Sequence, residues 1–78
     1  MKKINKVSIV GVGLIGGSIG LALKKNLSHI VVTGIGRNVS RLKLAKQKNC
    51  IDKFTTDLKE GVKDADIVII CVPVNLTP

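Results

Sequence analysis

Three glycines carry the first chemical signal. They stand in the run Gly11-Val12-Gly13-Leu14-Ile15-Gly16, a G-x-G-x-x-G spacing inside the stretch VSIVGVGLIGGSIG. Gly11 allows a tight turn without steric cost. Gly13 has no Cβ, so a pyrophosphate can approach its backbone. Gly16 lets the following helix pack closely on the preceding strand. The free N–H groups at the start of that helix then face the phosphates, where the helix dipole favours negative charge. The spacing alone is weak, because glycines cluster in many loops, and its neighbours decide. A strand-like run with Ile4, Val7, Ile9 and Val10 precedes it, and a helix-like run follows over residues 15–25. A second strand-like run over residues 29–35 completes a βαβ unit of about 30 residues, the expected length.

The second signal lies where that second strand ends, in Gly34-Ile35-Gly36-Arg37-Asn38. In proteins that bind NAD through such a unit, an acid about 20 residues beyond the glycines accepts a hydrogen bond from the ribose 2′-OH. Here Gly36, 20 positions after Gly16, is not acidic, and Arg37 follows it. A carboxylate there would repel a 2′-phosphate, whereas Arg37 can make charge-assisted bonds to one and stack on adenine. Asn38 and Ser40 can add donors. These residues favour NADP over NAD. A third segment, Cys71-Val72-Pro73, leaves the fourth apolar run at the edge where open α/β sheets bind ligands. It is expected to line the central ribose and nicotinamide side. The glycine run, Gly36-Arg37-Asn38 and Cys71-Val72-Pro73 thus form the expected cofactor-binding set. No residue is assigned a catalytic or metal-binding role.

Positioning these groups takes four strands and three helices. The strands are expected at residues 4–10, 29–35, 51–55 and 67–72, and the first helix runs from the glycine turn to about Lys25. Ile15, Ile19, Ala22 and Leu23 supply its apolar packing at helical spacing. Lys24 and Lys25 suit the negative end of its dipole, and Asn26 suits its stop. Asn38 can cap a helix over residues 39–48 that turns Val39, Leu42 and Ala45 inward and leaves Arg41, Lys43, Lys46 and Lys48 solvated. Asp57-Leu58-Lys59-Glu60 reads as a capping box opening a short helix with Leu58 and Val62 inward. The fourth strand, IVIICV, is continuously apolar, as a parallel strand buried on both faces should be. The order βαβαβαβ with right-handed crossovers predicts an α/β, Rossmann-type three-layer half-domain with a parallel sheet in the order 3-2-1-4. That order puts the apolar fourth strand at an edge, a liability that leads us to expect further chain or a homodimer partner beside it. Residues 1–78 are expected to be the N-terminal part of a larger dinucleotide-binding domain, without repeats or linkers.

Composition narrows the classes further. Seventy-eight residues make one domain at most, and 45% apolar content is globular rather than disordered. Phe54 is the only aromatic residue, so the core must be aliphatic. The net charge of +8 comes from 13 Lys and Arg against 5 acids. The lysines are scattered, and no aromatic stacking platform accompanies them, so a nucleic-acid surface is not expected. A positive field would instead help to recruit a polyanionic cofactor or an acidic substrate. Cys50 and Cys71 form no C-x-x-C pair and suggest neither metal nor a disulfide framework, which fits a reducing cytoplasm. Cys71 reads as a small buried hydrophobe. His29 reads as a surface residue. Lys2, Lys3 and Lys6 before 17 uncharged residues look like a signal peptide, but five of those residues are glycine and no small-x-small cleavage site follows. The run is also short for a membrane span. A cytoplasmic protein with no membrane partner is expected.

The motif Gly11-Val12-Gly13-Leu14-Ile15-Gly16-Gly17-Ser18 matches more than the generic spacing. G-x-G-L-I-G-G-S resembles the opening of the prephenate and arogenate dehydrogenases of tyrosine biosynthesis. The strand-end Arg37-Asn38, Asp52 before Phe54-Thr55-Thr56, and Asp64-Ala65-Asp66 leading into IVIICVPV agree in place, so the resemblance covers essentially the whole chain. The resemblance implies oxidative decarboxylation: hydride leaves the hydroxyl-bearing ring carbon for C4 of the nicotinamide, and loss of carboxylate aromatises the ring. Gly36 before Arg37 looks like the members that use NADP. The family's catalytic histidine, substrate-binding arginine and helical dimerisation domain would all lie beyond this length, so the chain alone is expected to bind a cofactor but not to catalyse. A small acidic substrate would bind only with that further region. Outside the glycine motif, the sequence also suits other NADP-dependent reductases related to 6-phosphogluconate dehydrogenase. A nucleotide-sensing module is a further alternative, although such modules keep an acid where Gly36 stands.

Overall fold

The structure, a computed structural model, describes residues 4–71, and of Leu14 and Ile15 the backbone only. Along the chain it contains β1 (Lys6–Val10), α1 (Leu14–Asn26), β2 (Val31–Ile35), α2 (Val39–Gln47), β3 (Lys53–Thr55), α3 (Leu58–Val62) and β4 (Ile67–Ile70). The strands form one parallel sheet in the order β3-β2-β1-β4. The register pairs Ile9 with Gly34 and Ile69, and Ser8 with Thr33 and Val68. This is the expected topology. The strands are shorter than the apolar runs suggest: His29 and Ile30 precede β2, and Ile51 and Asp52 precede β3.

Strand alternation gives the sheet two chemically different faces. Val7, Ile9 and Val32 point to one side and form the core with Ile30, Leu42, Ala45 and Ile51. Ile9, on the central strand β1, is fully buried. Helices α1 and α2 both cover this side. A Cβ on Gly20 would lie 2.1 Å from the Cys50 carbonyl oxygen, so only glycine lets α1 come this close to the segment entering β3. The other side carries Ser8, Thr33 and Ile35 and is covered by α3. Ser8 is buried, and its hydroxyl donates to the Gly61 carbonyl at 2.6 Å.

Two aspartates tie the elements together. The Asp52 carboxylate accepts from the Val32 N–H at 2.7 Å and pairs with the Lys24 ammonium, so α1, β2 and the lead into β3 meet at one side chain. Lys24 therefore does more than meet a helix dipole. Asp66 accepts from the Asn5 and Lys6 N–H groups, each at 2.9 Å, and its own N–H donates to the Lys6 carbonyl at 2.8 Å. It aligns the start of β4 on the start of β1.

Several expected inward residues face outward. Leu58 is 55% exposed, because the close approach of α3 to the sheet is made by Gly61. A Cβ there would meet the Ile35 side chain at 2.4 Å. The capping box is half made. Asp57 accepts from the N–H groups of Lys59 and Glu60, but its own N–H donates to Thr55 Oγ1 at 3.1 Å rather than to Glu60. Val39 lies in the first turn of α2, beyond the core that Leu42 and Ala45 reach, and is exposed. Ala22 is exposed too, since α1 packs through Gly16, Ile19, Gly20 and Leu23. Strand β4 is not buried on both faces. Ile67, Val68 and Ile70 are exposed, and Ile69 alone in β4 packs on the core, because β4 is the outer strand among the described residues. Cys71 is half-buried rather than fully buried.

Candidate functional site

The carboxyl ends of the parallel strands converge on the glycine turn. At the end of β1, Gly11 takes φ 83°, a left-handed conformation that side chains disfavour. Its N–H donates to the Ile35 carbonyl at 2.8 Å, which fastens the turn to the end of β2. On the other side the Cys71 N–H donates to the Val10 carbonyl at 2.8 Å. Gly36 closes the row, donating to the Thr55 carbonyl at 3.3 Å. These bonds bring Gly11, Gly36 and Cys71 to one edge of the sheet, where open α/β folds bind ligands.

Helix α1 starts here, with Gly13 at its N-cap. No side chain caps this end and no acid lies in its first turn, so its leading N–H groups keep their capacity to bind an anion. Space around Gly13 is open: a Cβ built there would meet nothing within 4 Å. Gly16 differs. A Cβ there would lie 3.0 Å from the Gly11 carbonyl oxygen and 3.2 Å from Ile9 Cγ2, so this glycine seats α1 against β1. The turn thus has the two properties that a bound pyrophosphate needs: an accessible backbone at Gly13 and a helix held directly behind it. A dinucleotide fits this cradle.

The β2 side supplies the positive charge. Arg37 is exposed directly after Gly36. Asn38 Oδ1 accepts from the Arg41 N–H at 3.1 Å and caps α2, so what this side chain offers an anion is its NH2 group. Arg41 was not singled out from the sequence as a site residue. It lines the same open space as Val12 and Gly13, and its place one turn into a capped helix is the signal that could have found it. The expected residues Val72 and Pro73 lie outside the described residues, as do the side chains of Leu14 and Ile15. His29 is exposed, and among the described residues no group of His, Cys, Asp and Glu could hold a metal. Asp52, behind the site, has a shifted pKa. Burial pushes its carboxyl up, but the Lys24 hydrogen bond, the Val32 N–H and the Lys24 charge outweigh that and leave it below the usual value.

A glycine cradle at the carboxyl edge of this sheet is shared by many enzymes, and similarity to known proteins separates them. The family described as prephenate dehydrogenase, nucleotide-binding domain, matches residues 19–78. The chain belongs to this family. A prephenate dehydrogenase of Lactococcus lactis is 35% identical over 95% of the chain, and one of Bacillus subtilis is 39% identical over 91%. The chain spans 20% and 19% of the length of these two relatives. Among solved structures, the arogenate dehydrogenase of Synechocystis superposes with a TM-score of 0.78 at 29% identity, over 87% of this chain and 23% of that one. The family match begins inside α1 and runs through the Arg37 and Asp52 segments, so it does not rest on the glycine motif. No described helix is long and apolar enough to cross a membrane.

Proposed function

We propose that this chain forms the N-terminal, NADP-binding part of a dehydrogenase that oxidatively decarboxylates prephenate or arogenate. The observation that carries the NADP reading is the bond from the Gly11 N–H to the Ile35 carbonyl. It holds the pyrophosphate turn beside a strand end where Gly36 and Arg37 replace the acid that would select a free 2′-OH. The Gly13 backbone and the α1 N-terminus hold the pyrophosphate. Arg37 holds the 2′-phosphate, with the Asn38 amide as a further donor. Cys71, with Val72 and Pro73, borders the nicotinamide side. When bound, the nicotinamide supplies a hydride acceptor at C4. The residues of this chain orient it, and none of them is assigned a proton or hydride step. The acidic substrate is bound by further protein of the kind the longer relatives contain. The free thiols of Cys50 and Cys71 fit a cytoplasmic setting.

Calorimetric titration with NADP and NAD in parallel, at two salt concentrations, tests this reading. NADP is expected to bind at least about ten-fold tighter than NAD. Arg37→Ala should remove that preference, since one charge-assisted hydrogen bond contributes roughly 1.5–3 kcal/mol, about ten- to hundred-fold in affinity. Equal affinities in the unsubstituted protein would refute the NADP assignment and leave the dinucleotide site standing.

A further inference from the structure

Charge and shape coincide on one face of the molecule. Ten of the thirteen Lys and Arg lie before residue 50, and all five acids lie at Asp52 or later. Helices α1 and α2 therefore contain no acid at all. Between them runs a groove of about 490 Å³. At one end it opens onto Val12 and Gly13 of the glycine turn, and along its length it is lined on the α1 side by Gly17 and Leu21 and on the α2 side by Arg41, Leu44, Ala45 and Lys48. Leu21 is 45% exposed and Leu44 48%, so two large apolar side chains stand open to water across from each other. Gly17 and Ala45 place little side chain in the middle of the groove and let a backbone approach. Arg41 and Lys48 are seven positions apart on one helix, roughly 10 Å, and place positive charge at both ends.

We infer that the α1–α2 groove is a docking site for an acidic amphipathic helix of a partner protein. Such a helix lays apolar residues at i, i+3, i+4 and i+7 into a groove and keeps polar ones at its rim. Two turns of it match the distance from Arg41 to Lys48. Its leucines cover Leu21 and Leu44, and its carboxylates meet Arg41 and Lys48. The exposed leucines distinguish this surface from a polyanion track, because phosphate binding draws on charge and leaves apolar walls unused. Among the described helices a second copy offers no suitable occupant, since α1 and α2 contain no acid and α3 has five residues. The groove adjoins the dinucleotide cradle at its Val12, Gly13 and Arg41 end, and the docking surface rests on Leu21, Leu44 and Lys48, one to two helical turns farther along.

The test uses a fluorescent peptide of about 14 residues, with Leu at the four groove positions and Glu around them. Anisotropy is read against the full chain at about 0.15 M salt. Saturable binding at least about ten-fold tighter than that of a scrambled peptide of the same composition is expected. Leu44→Glu should weaken it by at least about ten-fold and Lys48→Glu by about three- to ten-fold, with unchanged circular dichroism and melting. Equal binding of the scrambled peptide, or no loss in Leu44→Glu, would overturn the inference. So would duplex DNA or anionic vesicles that bind as tightly and lose binding in the same variants. Self-association of the chain that Leu44→Glu abolishes would assign the groove to a second copy instead. Both variants should titrate with NADP as the unsubstituted protein does, so failure of the cofactor reading leaves the peptide result intact.

Discussion

Neighbouring glycines in α1 have opposite roles. A Cβ on Gly17 would meet only Cys50 Sγ at 3.8 Å, an ordinary contact. On Gly20 it would sit 2.1 Å from a backbone oxygen that cannot move without shifting the entry to β3. Gly17→Ala is therefore expected to stabilise the fold by about 0.5–1 kcal/mol, through helix propensity alone. Gly20→Ala is expected to destabilise it by about 1–3 kcal/mol or more. Urea denaturation of the two variants separates them, and equal effects would contradict the packing described. At this scale the sequence was informative where a residue type is required for its backbone. Gly11, Gly16 and the cap Asn38 were legible. Leu58, Val39 and Ala22 were not, because apolarity says a residue can be buried, while the distance between elements decides whether it is.

At the scale of elements, the joints are polar. Asp52 links α1, β2 and β3 through Lys24 and the Val32 N–H. Its folded pKa is below the ordinary aspartate value, so the folded state binds its proton less readily than the unfolded chain does. The stability it contributes is complete above about pH 5. It is lost as pH falls through the ordinary value of about 3.9 and on through the lower folded value. Asp52→Asn should lower the melting temperature at pH 7 and flatten its dependence on pH between about 5 and 3. A slope as steep as that of the unsubstituted protein would assign the acid sensitivity to other carboxylates. The pair is partly open to solvent, so salt should weaken the effect. Sequence spacing placed the helix that carries Lys24 and the segment that carries Asp52 but could not pair them, since 28 residues separate the two.

For the whole molecule, the core is one-sided. The aliphatic face of the sheet is sealed by two helices, while the face with Ser8 and Thr33 has the five-residue α3. Ile9→Ala at the centre of the sealed face should cost about 2–4 kcal/mol. Leu58→Ala on α3 should stay within about 0.5 kcal/mol. Chemical denaturation of both variants checks this; a large loss at Leu58 would mean that α3 is covered by something more. The same asymmetry separates charge, with cations over α1 and α2 and every acid from Asp52 onward.

The sequence by itself determined the order of elements, the parallel 3-2-1-4 sheet, the glycine turn and the absence of an acid after β2. Each follows from local rules: hydrophobic period, turn chemistry and the handedness of βαβ crossovers. Only the tertiary structure decided that Gly61 rather than Leu58 faces the sheet and that β4 stands exposed. It also decided that Lys24 meets Asp52 and that Leu21 and Leu44 flank an open groove. These depend on distances between segments far apart in the chain, which no local pattern encodes.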